Sequence, residues 1–167
     1  MSAGDLYDTD FIGWTEQQAR LLREAAARGT NLPFDWANLA EEVEDLGRSE
    51  YDAILSQIIR IVAHLLKLEF SPAVDPRAAW TTSVQDGRRE IARRLLRNPG
   101  LRPRLPEMLR EAGPLAVRAA AEDMELYGEA PAAGLARQHG PERYGLAQVL
   151  EDWLPDRPDL PQRFNRQ

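Results

Sequence analysis

Residues 36–69 read WANLAEEVEDLGRSEYDAILSQIIRIVAHLLKLE, and this stretch decides the fold. Its apolar positions Leu39, Val43, Leu46, Tyr51, Ile54, Ile58, Ile61, Leu65 and Leu68 keep one register. From Tyr51 onward the steps alternate three and four, the period of a helix that buries one stripe against its neighbours. Gly47 interrupts the side chains but not the register, which favours one long helix over a break into two pieces.

Similar patterns lie on either side. Thr9 is placed to cap a first helix running to Arg28, with Phe11, Trp14, Leu21, Leu22 and Ala25 on its stripe and Gly29 in position for a left-handed terminus. The linker Thr30 to Pro33 leads to Asp35, a second N-cap, and Ser71-Pro72 ends the long helix. Asp75 and Pro76 then open a third helix to Arg97 that carries Trp80, Val84, Ile91 and Leu95, and Asn98-Pro99-Gly100 closes it. A fourth segment, about Leu101 to Tyr127, should face inward with Leu105, Met108, Leu109, Leu115, Ala119 and Met124. Pro106 and Pro114 predict a kinked or two-piece helix there. Residues 128–141 read as a loop rich in Ala, Gly and Pro, followed by a short helix from Gly145 to Asp152 and a docking Trp153. No sustained period-two alternation competes with these patterns. The expectation is an all-α chain: an antiparallel up-down bundle of four long helices with a short fifth C-terminal helix. It should form a single domain over 1–155, with a flexible tail over 156–167.

The chain has 167 residues and no cysteine, which removes disulfides, thiolate metal sites and cysteine nucleophiles. No leader and no membrane-length apolar run is evident, so a cytoplasmic protein away from membranes is expected. Walker-type phosphate loops, dinucleotide glycine motifs and nucleophile elbows are absent. The net charge of −6 conceals two opposed regions. Residues 1–50 hold eleven acids against four arginines, and residues 88–110 hold eight arginines against two acids. Of the 21 basic residues only Lys67 is lysine.

The densest acidic run is Glu41 to Asp45, where Glu41, Glu44 and Asp45 share one helical face at the spacing used by bundle carboxylates that hold metals. A divalent metal ion is the one cofactor such a set could hold, with His64 as a further ligand. On one continuous helix Glu44 and His64 stand roughly 30 Å apart, so a joint site requires a hairpin at Gly47. The alternatives are a solvated or arginine-paired acidic face, and a histidine buried in the core that packs near Trp80. His139 reads as exposed. Arg89, Arg93 and Arg97 form a four-apart ladder that could track phosphates, but the acidic total and the lack of interleaved aromatic residues weigh against nucleic acid. Together with Arg88 the run can instead pair with acids of this chain or of a partner. Arg48, Lys67 and Trp80 complete the candidate binding residues. Gly87, in the seam of the third helix, predicts a close helix crossing or a small cavity.

Tyr7-Asp8-Thr9-Asp10-Phe11-Ile12-Gly13-Trp14 and the block Asp35-Trp36-Ala37-Asn38-Leu39-Ala40-Glu41-Glu42-Val43-Glu44-Asp45-Leu46-Gly47-Arg48-Ser49-Glu50 resemble the bacterial Domain of Unknown Function 29 family. So do His64-Leu65-Leu66-Lys67 with Pro72, Arg88-Arg89-Glu90-Ile91, Pro99-Gly100-Leu101, and Leu146-Ala147-Gln148-Val149-Leu150 with Trp153-Leu154-Pro155. Leu68, Gly87, Pro106 and Pro114 depart from the pattern. The resemblance implies an all-helical fold and carries no established activity. The residues themselves point to a protein-interaction or oligomerisation module that uses the opposed acidic and arginine-rich surfaces. A carboxylate and histidine metalloenzyme and a nucleic-acid binder are the other readings.

Overall fold

The computed structural model describes residues 3–29 and 32–156, with side chains from Leu6 onward. Among these the chain is all-helical. The elements are α1 (Ala3–Thr9), α2 (Phe11–Ala27), α3 (Trp36–Phe70), α4 (Arg77–Arg97), a 3-10 segment (Pro99–Arg104), α5 (Leu105–Leu126), α6 (Ala130–His139) and α7 (Leu146–Leu150). The linker residues 30 and 31, and the expected tail beyond residue 156, lie outside the described residues. Contacts divide the chain into two compact units, Met1–Ile54 with Ile91–Leu105, and Leu55–Glu90 with Pro106–Gln167.

In the first unit α2 is capped by Asp10, whose Oδ1 accepts the Gly13 amide at 3.1 Å, and not by Thr9, which ends α1. Asp35 does cap α3, accepting the Asn38 amide at 3.2 Å. Helix α3 continues through Gly47, where α2 packs close against it. A Cβ at Gly47 would collide with Oγ1 of the buried Thr15 and lie 3.6 Å from Ile12 Cδ1. The contact side of α3 in this unit is therefore built on small residues, Ala40 and Gly47, both buried. Leu39 and Leu46 sit roughly 100° around the helix from that line and are 42% and 52% exposed. The expected seam thus holds only from Ile54 onward; Leu21 of α2 is likewise exposed.

In the second unit Ile58, Ile61, Leu65 and Leu66 are fully buried, and α4 crosses α3 at Gly87, where a Cβ would stand 2.8 Å from Ile61 Cγ1. Helix α5 is one element from Leu105 to Leu126 with Pro114 inside it, which corrects the expected break into two pieces. Pro106 falls in its first turn, where no amide bond is lost, and the 3-10 segment supplies the change of direction before it. Its buried side is Ala112, Ala116, Ala120, Ala121 and Met124, whereas Leu115 and Ala119 turn outward. Residues 130–139, read from sequence as loop, form α6. Gly128, at φ +78°, ends α5 in a Schellman turn: the Glu129 amide donates to Met124 O at 2.8 Å and the Gly128 amide to Glu125 O at 3.0 Å. Ala and Pro were the misleading signal, since Pro131 occupies the first turn of α6 and the alanines pack inward.

Candidate functional site

The second unit carries an open cleft of about 590 Å³ lined by Lys67, Ala73, Asp75, Pro76, Trp80, Asp123, Met124, Tyr127 and Glu129. Four segments build it. The last turns of α3 carry Lys67; the turn into α4 carries Asp75 and Pro76, with Trp80 one turn on. The last turns of α5 carry Asp123 and Met124, and the Schellman turn places Tyr127 and Glu129 on the rim. Lys67 is 7% exposed. Its Nζ donates to Asp123 Oδ2 at 2.7 Å and lies 5.4 Å from the Trp80 ring centroid, within cation–π range. The cation over Trp80 is thus Lys67. Asp75 and Glu129 have no ion-pair partner among the described residues.

His64, one turn before Lys67, is partly buried, and its Nδ1 has no hydrogen-bond partner among the described residues. Burial, then the neighbouring charges of Lys67 and Arg60, push its pKa down to about 4, with Asp123 opposing. The ring is therefore neutral at pH 7.

The acidic face of the first unit is partly engaged. Arg23 bonds Glu44 and holds its carboxyl below the usual range, and Arg48 stands 3.3 Å from Asp45. Glu41 and Glu42 are exposed, without an ion pair among the described residues. His64 belongs to the other unit. Among the described residues no three His, Asp or Glu side chains are grouped to hold a metal ion.

The arginine run divides by role. Arg88 turns inward and donates to the carbonyls of Val149 at 2.9 Å, Gln148 at 2.8 Å and Trp153 at 2.7 Å, tying α7 to α4. Arg89 pairs with Asp86 beside it. Arg94 bonds Glu50 at 2.9 Å, and Arg104 bonds Glu16. Arg93 also has an interaction partner, and Arg97 is exposed at the end of α4. Two arginines of the run, Arg94 and Arg104, thus pair with acids of the N-terminal region inside the first unit.

Sequence reasoning singled out Lys67 and Trp80 but missed Asp75, Asp123, Tyr127 and Glu129. Asp123 is 56 residues from its lysine, beyond any local pattern. The usable signal was the solitary lysine among arginines, together with Gly128 as a helix terminator.

Among the described residues no helix is long and apolar enough to cross a membrane. No curated protein matches the chain. It is similar to the crystal structure of an alpha-helical protein of unknown function from Rhodospirillum rubrum, at 27% identity and a TM-score of 0.67, covering 87% of this chain and 89% of that one. Residues 6–154 match the family described as domain of unknown function DUF29, and the chain belongs to that family.

Proposed function

We propose that the protein is an interaction module that docks a basic amphipathic helix of a partner protein on the N-terminal part of α3. The single observation that carries this reading is the apolar stripe Leu39, Val43, Leu46, in which Val43 is partly buried while Leu39 is 42% and Leu46 52% exposed, with Phe34, 60% exposed, just before it. Apolar residues at three- and four-residue steps are what a helix-docking face presents. Glu42 lies three residues after Leu39 and four before Leu46, so an unpaired carboxylate borders the stripe. Arg23, Arg48 and Arg94 are already paired, with Glu44, Asp45 and Glu50 of α3. Charge complementarity then selects a basic occupant. A second copy of this chain would bring its own Glu41 and Glu42 against the same rim.

The test uses a synthetic leucine/lysine heptad peptide and its leucine/glutamate counterpart as probes of the full chain. The lysine peptide is expected to bind and the glutamate peptide not to. Leu39→Lys combined with Leu46→Lys, both on the exposed face, should weaken binding at least tenfold without lowering the melting temperature. Equal binding of the two peptides, or binding indifferent to the double substitution, overturns the reading. So does a dimer in sedimentation that the double substitution dissolves, because a second copy would then occupy the face.

A further inference from the structure

We propose that the cavity around Lys67 in the second unit binds a small organic cation of the aliphatic polyamine class. Its volume, about 590 Å³, lies in the range of small-molecule sites. Its wall carries three carboxylates, Asp75, Asp123 and Glu129, against the single ammonium of Lys67. These carboxylates come from three separate segments and do not form a metal-holding group among the described residues. Negative charge spread along a cavity suits a cation whose charges are spread along a chain, not a point charge.

The chain's own alkylammonium offers a precedent for this chemistry. An alkylammonium is already seated there: Lys67 Nζ is held by the Asp123 carboxylate at 2.7 Å and faces the Trp80 ring at 5.4 Å. Glu129 and the ring of Tyr127, which is 79% exposed, also line the cleft at its rim. Asp75 stands on the same wall, also without an ion-pair partner among the described residues. The C-terminal end of α5 adds its partial negative charge on this side. In this arrangement Lys67 neutralises Asp123 and helps to set the end of the cavity, while Asp75 and Glu129 take the ammonium groups of the ligand and the rings cover its methylenes.

Spermidine is the probe, titrated calorimetrically into the full chain at 0.15 M salt. One-site binding is expected, weakened at least tenfold by Asp75→Asn with Glu129→Gln and at least fivefold by Tyr127→Ala. All three positions lie at the cavity rim, and unchanged melting curves will establish that the variants are folded. Magnesium at the same charge concentration should leave spermidine binding within twofold. Undetectable binding, binding unaffected by the carboxylate substitutions, or displacement by magnesium as effective as by putrescine overturns the proposal. A lysine-containing peptide that occupies the same residues more tightly than spermidine overturns the free polyamine as occupant.

Discussion

At the residue scale, two side chains state most clearly how local physics sets behaviour. His64 is held neutral, its pKa pushed to about 4 from an ordinary 6.5 mainly by burial. The unfolded chain therefore takes up a proton at His64 before the folded chain does. This contribution to stability is complete above pH 6.5 and is lost as the pH falls through about 4, where it levels off. With solvent screening of a partly exposed ring it is worth on the order of 1 kcal/mol. Urea titrations at pH 7 and pH 4 should show His64→Leu losing less stability on acidification than the parent chain; parallel losses would refute the assignment. Gly87 makes the opposite kind of statement. Alanine there adds about 1 kcal/mol of helix preference but drives a Cβ to 2.8 Å from Ile61 Cγ1 in a fully buried place. Overpacking costs about 1–3 kcal/mol, so Gly87→Ala should destabilise by about 1 kcal/mol. Gly134→Ala in α6, where a Cβ meets nothing within 4 Å, should stabilise. Denaturant midpoints that move the same way for both would contradict the close crossing.

Among the elements, α7 has only five residues and depends on neighbours for its persistence. Arg88 supplies three charge-assisted bonds to carbonyls at and beyond its end. Lysine cannot reproduce that fork, so Arg88→Lys should cost about 2 kcal/mol and strip hydrogen-exchange protection from residues 149–151 ahead of the rest of the second unit. Protection unchanged there would show that packing alone holds α7. The elements also show what the sequence could and could not disclose. The long α3, the Asp35 cap, the end at Ser71 and the Gly29 terminus at φ +67° were legible, because each rests on chemistry within four residues. Helix α6 was not, since alanine and proline serve loops and helix starts alike and only packing decides between them. Leu39 and Leu46 kept the apolar register yet are exposed, because periodicity reports which residues share a face and not whether anything covers it.

For the whole molecule, the net charge of −6 is a sum over pairs already made and carboxylates left over. The acidic N-terminal third and the arginine run meet in two pairs, Glu50–Arg94 and Glu16–Arg104, within the first unit. On α3 the exposed Glu41 and Glu42 stand beside the exposed Leu39 and Leu46. Of the candidate cavity, the sequence disclosed Lys67 and Trp80; its carboxylates and Tyr127 were assembled by contacts that no local spacing encodes. The central claim, that α3 docks a basic helix on its Leu39–Leu46 face, is open to a direct reading because the chain has no native cysteine. A polarity-sensitive fluorophore attached through Leu46→Cys should shift to the blue and saturate as the leucine/lysine peptide is added. The same label at Ala37→Cys, on another side of the helix, should not change. A label at position 46 that stays solvent-like at saturating peptide, or equal shifts at both positions, would contradict the claim.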